Sequence, residues 1–138
     1  MSKTSYNSGY RSKYSLTVHI VFVTKYRRKV INAQMMTRLE TVANSVAEKW
    51  NSKIVEFSGE VDHVHFILDY PPSKTLSSLI ANMKSTMSKT MWRDFESHVK
   101  TFYWGKRVFW TGAYFASSCG GVTVEELKAY VQSQERPE

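Results

Sequence analysis

The chain has 138 residues, with 19 Lys and Arg against 12 Asp and Glu, for a formal net charge of +7. That length holds one domain and excludes a TIM barrel or a dinucleotide enzyme with a separate substrate domain. Apolar residues make up 42%, no apolar run is long enough to span a bilayer, and the single Cys119 excludes an intrachain disulfide and fits a reducing cytoplasm.

Residues 1–13 are polar and aperiodic and read as a loose basic arm, with no apolar stretch to make a secretory signal. A strand is predicted from Tyr14 to Val23, with Leu16, Val18, Ile20 and Phe22 on one face and Thr17, His19, Val21 and Val23 on the other. Both faces are largely apolar, which places it centrally in a sheet. Apolar spacing then predicts a helix from Ala33 to Trp50, with Asn32 as its N-cap. Lys53–Glu60 and Val61–Asp69 read as two strands, stopped by Pro71 and Pro72.

A second helix is predicted from Leu76 to Phe95, with Leu79, Ile80, Met83, Met87 and Met91 inward and Lys84, Lys89 and Arg93 on its other side. A loop leads to a last strand over Val108–Ala116, and Gly120-Gly121 breaks the chain. Thr123-Val124-Glu125-Glu126 is a capping box opening a third helix that runs to about Glu135. Strand–helix–strand–strand–helix–strand is the ferredoxin-like split βαβ order, an α+β fold with an antiparallel sheet and both helices on one face. The other face is then left open for a site or a partner. The expected division is an arm over 1–13, a core over 14–117 and an added helix over 122–136.

The charge is blocked. Residues 1–39 carry 8 basic and no acidic side chains, and residues 40–72 carry 2 basic and 6 acidic. Residues 73–110 return to 7 basic against 2 acidic. Lys25, Arg27, Arg28 and Lys29 surround Tyr26, and Tyr103, Trp104, Lys106, Arg107, Phe109 and Trp110 interleave cations with rings. Phosphate pairing with base stacking holds single-stranded nucleic acid. A solvated basic face over core aromatics is the competing reading.

The sharpest chemical feature is Asp62-His63-Val64-His65. On a strand, His63 and His65 share a face with Cα atoms roughly 7 Å apart, close enough to converge on one metal ion. Two ligands leave open positions, which suits a catalytic ion. The alternative is two strand histidines with no shared role. Tyr130 and Gln134 lie four apart on one face of the last helix. Tyr130 is a candidate nucleophile and Gln134 an amide oxygen able to complete a metal site. The alternative is a surface helix whose tyrosine packs its ring. His19, mid-strand, reads as a core histidine or as support for the ligands. Cys119 has no accompanying His/Asn pattern, and no Gly-rich phosphate loop is present.

Four segments together resemble the single-tyrosine transposases of the HUH superfamily, the IS-two-hundred-like enzymes of small insertion sequences. They are Lys25-Tyr26-Arg27-Arg28, Asp62-His63-Val64-His65, Phe109 through Phe115, and Tyr130-Val131-Gln132-Ser133-Gln134. The resemblance runs from Tyr14 to Gln134. It implies a ferredoxin-like fold, a homodimer, and a divalent cofactor, Mg2+ or Mn2+, on His63, His65 and Gln134; Asp62 and His19 are candidates to support those ligands from behind. It implies Tyr130 as nucleophile, with composite sites in which the tyrosine helix reaches the partner subunit. The implied substrate is single-stranded DNA with hairpin ends, cut and rejoined through a 5′-phosphotyrosine in a prokaryotic cytoplasm, at the nucleoid when active. Lys25, Arg27, Arg28, Lys84 and Lys89 are then expected on DNA phosphates. Val61 stands where the family often has Pro.

Three other readings stay open beside it. One is a transposase-like protein acting on repeated extragenic palindromes, which the chain's end after the tyrosine helix disfavours. Another is a non-catalytic module binding single-stranded nucleic acid. The last is a replication or conjugation initiator, which is expected to be longer.

Overall fold

Alternation of β-branched and aromatic side chains makes Thr17–Val23 the strand about which the domain is built. In the computed structural model, which describes residues 7–8, 13–14, 16–72, 75–118 and 124–134, this strand is β3. Ahead of it, β1 (Asn7–Ser8) pairs antiparallel with β2 (Lys13–Tyr14). The expected loose arm therefore contains a short ladder, and the central strand begins at Thr17 rather than Tyr14.

Helix α1 (Ala33–Lys49) follows, its Asn32 side chain accepting from the Met35 amide at 2.9 Å as an N-cap should. Strands β4 (Lys53–Glu60) and β5 (His63–Asp69) form a hairpin turned by Val61 and Asp62. Helix α2 (Leu76–Asp94) and strand β6 (Phe115–Ser118) complete the repeat. The sheet order is β4-β5-β3-β6, antiparallel throughout. This is the expected ferredoxin-like arrangement.

Helices α1 and α2 cover one sheet face. Val18, Ile20 and Phe22 of β3 and Val64, Phe66 and Leu68 of β5 meet Leu39, Ala43 and Val46 of α1 and Ile80, Met83 and Met87 of α2 in one buried cluster. Gly59 on β4 is needed there. A Cβ at that position would stand 2.5 Å from the His63 carbonyl and 2.9 Å from the Val64 Cα.

Two elements depart from expectation. The stretch after α2 is not a loop but a helix, α3 (Glu96–Tyr103), which buries Val99 and Tyr103 at i, i+4. The last strand is also shorter and later than Val108–Ala116. Trp110 makes only an isolated bridge to Thr24, and regular pairing begins at Phe115. Phe109 and Trp110 are both buried and meet edge to face at 4.7 Å, so this stretch cannot alternate inward and outward as a strand does.

Helix α4 (Val124–Ser133) lies on the opposite sheet face, where Val131 joins Val21 and Val23 in a second, small buried cluster flanked by Leu127, Phe115 and Tyr130. That face is thus partly roofed rather than open. The expected Cys119 and Gly120-Gly121 break and the Thr123 cap lie outside the described residues. No helix among the described residues is long and apolar enough to cross a membrane.

Candidate active site

Strand alternation puts His63 and His65 on the face away from α1 and α2, while Val64 and Phe66 are buried beneath. The two imidazoles stack with centroids 5.8 Å apart and planes 21° from parallel. Each has its Nδ1 engaged. His63 Nδ1 donates to Asp62 Oδ1 at 2.9 Å. His65 Nδ1 lies 3.4 Å from Nε2 of His19, which β3 brings across the sheet because Val21 pairs with His65. With each Nδ1 as the donor, both Nε2 atoms have no hydrogen-bond partner among the described residues and can face an external electrophile. Carboxylates and neighbouring imidazoles behind ligating histidines fix tautomer and ring orientation in this way.

Burial, followed by the charges of His19 and His63, lowers the His65 pKa, and burial lowers that of His19 as well. Both shifts favour the neutral imidazole that ligates metal. The donors therefore fit a first-row divalent ion, and imidazole favours Mn2+ over Mg2+. Among the described residues no set of three His, Cys, Asp or Glu side chains converges on one ion position.

A cleft of about 410 Å³ opens over the histidines, between the sheet and α4. Glu60, Arg27, Lys128 and Gln132 border it. Glu60 was not singled out by spacing. It enters because the β4–β5 hairpin pairs it directly with His63, so both side chains share a face. The usable signal is its position three residues before His63 across a two-residue turn.

Tyr130 lies elsewhere on α4, and Gln134 stands just past it, since the helix ends at Ser133 rather than near Glu135. The Tyr130 ring packs on Phe115 at 5.2 Å, its hydroxyl is buried without a hydrogen-bond partner, and burial raises its pKa. Gln134 Nε2 donates to the Tyr130 carbonyl at 3.3 Å and to Ser133 Oγ at 3.2 Å. On this seat Gln132, not Gln134, borders the histidine cleft.

The five basic side chains expected on DNA divide. Arg27 turns inward. It donates to the carbonyls of Val131 and Gln132 at 3.3 and 3.0 Å, and its Nε lies 3.4 Å from Asp62. Lys84 also turns inward, donating to the carbonyls of Thr111 and Gly112 at 2.8 and 3.3 Å, and burial and Lys25 lower its pKa. Arg28 lies over the Trp104 ring, and Lys25 beside Tyr26. Lys89 lines a shallow depression with Ser85, Ser88, Trp92 and Arg107.

Comparison with known proteins places the chain in a family. The family described as "Transposase IS200 like" matches residues 12–134. The transposase of insertion sequence IS200 from Salmonella typhimurium is 26% identical over 89% of this chain and 79% of its own. The ISDra2 transposase TnpA of Deinococcus radiodurans is 22% identical over 88% of this chain and 85% of its own. Among solved structures, a D. radiodurans protein provisionally assigned as a transposase superposes with a TM-score of 0.85 at 22% identity, covering 95% of this chain and 99% of that one. A REP-associated tyrosine transposase bound to a REP hairpin superposes at 0.54 with 16% identity, over 91% of this chain and 68% of that one. The chain belongs to the IS200-like transposase family.

Proposed function

We propose that this transposase cuts and rejoins single-stranded DNA at insertion-sequence ends through a 5′-phosphotyrosine at Tyr130. The observation that carries the reading is the pair His63 and His65, each with Nδ1 engaged and Nε2 without a partner among the described residues, in a cleft roofed by the helix that bears Tyr130. Single-stranded DNA with hairpin ends is the proposed substrate. A structural neighbour bound to a REP hairpin supports it.

The chemistry follows from the residues. A phenol with a pKa near 10 is a weak nucleophile, and burial raises Tyr130 further. Tyr130 must therefore leave Phe115 before it attacks, either by re-seating of α4 or by delivery from α4 of a second copy in a homodimer. Its oxygen gives up the phenol proton and bonds to phosphorus, the bond to the 3′ oxygen breaks, and that oxygen takes up one proton in exchange and leaves as a 3′ hydroxyl. The covalent ester keeps the bond energy, so a later 3′ hydroxyl rejoins strands without a nucleotide cofactor. His63 and His65, with Gln134 once α4 has moved, would hold a divalent ion. When bound, it polarises the scissile phosphate and offsets developing charge. Asp62 and His19 keep the two imidazoles aimed. Lys25 and Lys89 are proposed on DNA phosphates.

End-labelled single-stranded DNA carrying an element-end hairpin, incubated with Mn2+ and run on a denaturing gel, tests the reading. A covalent adduct with the wild type and none with Tyr130→Phe, which still binds the hairpin, is the expected result. An adduct with Tyr130→Phe overturns the assignment of the nucleophile, and no adduct with any single strand overturns the reaction.

A further inference from the structure

Trp104 is the most exposed large apolar side chain among the described residues, at 73%. It ends α3 in left-handed backbone, with φ 48°, and Gly105 continues the turn at φ 86°. Bulky side chains avoid that region, so an ordinary helix end would not place an indole there. One face of the ring is already covered, since Arg28 Cζ lies 4.8 Å from its centroid. Arg28 Nε is buried with no hydrogen-bond partner. The contact that seats this end of the guanidinium is the indole.

The support for this corner is firm. Tyr103 Oη donates to the Lys25 carbonyl at 3.0 Å, and Thr24 Oγ1 donates to the Arg28 carbonyl at 2.6 Å. Tyr26 and Arg27 in the same turn also have positive φ, 59° and 54°. Three of the four non-glycine residues with positive φ among the described residues thus meet here. Sparsely populated backbone conformations concentrate where a surface is held for use. The consecutive residues Arg27 and Arg28 point in different directions, one to the histidine cleft and the other to Trp104.

We propose that Trp104, backed by Arg28, is a stacking platform for one unpaired base of single-stranded DNA, with Lys25 and Lys106 beside it for the flanking phosphates. The inference rests on the DNA-processing reading above and adds the surface that holds the strand outside the cleft. A free π face accepts any base, and a guanidinium on its far side draws the pair together. A paired base has no face to offer, so the platform selects for single strands.

The test uses the full chain and fluorescently labelled oligothymidylate, read by anisotropy and by tryptophan quenching. Trp104→Ala is expected to bind about tenfold more weakly, the usual loss for one stacked base, and to lose most of the quenching. Trp104→Phe stays near wild type. A fully abasic oligonucleotide of the same length removes the difference between wild type and Trp104→Ala. Duplex binding is the same in all three proteins. Equal oligothymidylate affinity in wild type and Trp104→Ala overturns the platform, as does an equal loss on duplex. The adduct assay run alongside separates the two readings. An adduct with an indifferent Trp104→Ala removes only the platform, and Trp104-dependent binding without any adduct removes only the strand-transfer chemistry.

Discussion

Arg27 Nε stands 3.4 Å from Asp62, whose other carboxylate oxygen accepts from His63 Nδ1. The same guanidinium holds the last turn of α4 by two carbonyls, so one largely buried side chain ties the seat of the tyrosine helix to the aim of a candidate metal ligand. Arg27→Ala should therefore weaken Mn2+ binding about tenfold, as loss of support behind a histidine ligand does. Titration calorimetry reads that effect, and hydrogen exchange should show the α4 amides opening faster. A flattened salt dependence of DNA binding with unchanged Mn2+ affinity would instead place Arg27 on phosphate.

Gly59→Ala offers a second check on the histidine strand. The new methyl meets the His63 carbonyl and the Val64 Cα, which are backbone and cannot swing aside. We expect a loss of about 1–3 kcal/mol by denaturant unfolding, the usual range for overpacking, with disturbed Mn2+ binding because His63 moves with its carbonyl. Gly112→Ala, where a Cβ meets nothing within 4 Å, is the control and should stay near wild type.

Val131→Asp should release α4 without unfolding the domain. Among the described side chains of α4, Val131 is the one buried in the small cluster with Val21 and Val23, whereas the main core lies on the other sheet face. Proteolysis within α4 should accelerate strongly while the midpoint of global unfolding changes little, since local opening draws on local contacts. A large drop in that midpoint would show the two sheet faces to be one cooperative unit.

Acid stability should carry a signature of Asp94 at the end of α2. Hydrogen bonds from Arg93 and then Arg38 pull its carboxyl down to about 2, below the ordinary carboxylate range. A depressed carboxyl stabilises the fold above its unfolded pKa, and that contribution is lost as pH falls through the folded value. The stability difference between wild type and Asp94→Asn should be constant at neutral pH and shrink between about pH 4 and about pH 2. The carboxylate is exposed, so the amplitude should be small and reduced by salt.

Elements whose signals are local were legible in the sequence. The Asn32 cap, the apolar rows of α1 and α2, and the two-residue alternation that sets His63 and His65 together all follow from near neighbours. Helix α3 was missed because eight residues with two buried positions make a weak periodic signal. The supporting atoms of the site were less legible still. His19 and His65 are 46 residues apart and meet only through the pairing of β3 with β5. Arg27 and Lys84 look like free surface cations in sequence, yet their charges are turned to backbone carbonyls that only the folded chain supplies.

The pairing of β3 with β5 has a consequence for how this protein fails. Residues alternate between an apolar core and a histidine cleft along both strands, so a one-residue slip would carry His19 into the core and Ile20 onto the cleft. Such a slip costs core burial and site assembly together. Chains that reach the stable fold have thereby also aligned their histidines, and quality control of the fold doubles as quality control of the chemistry.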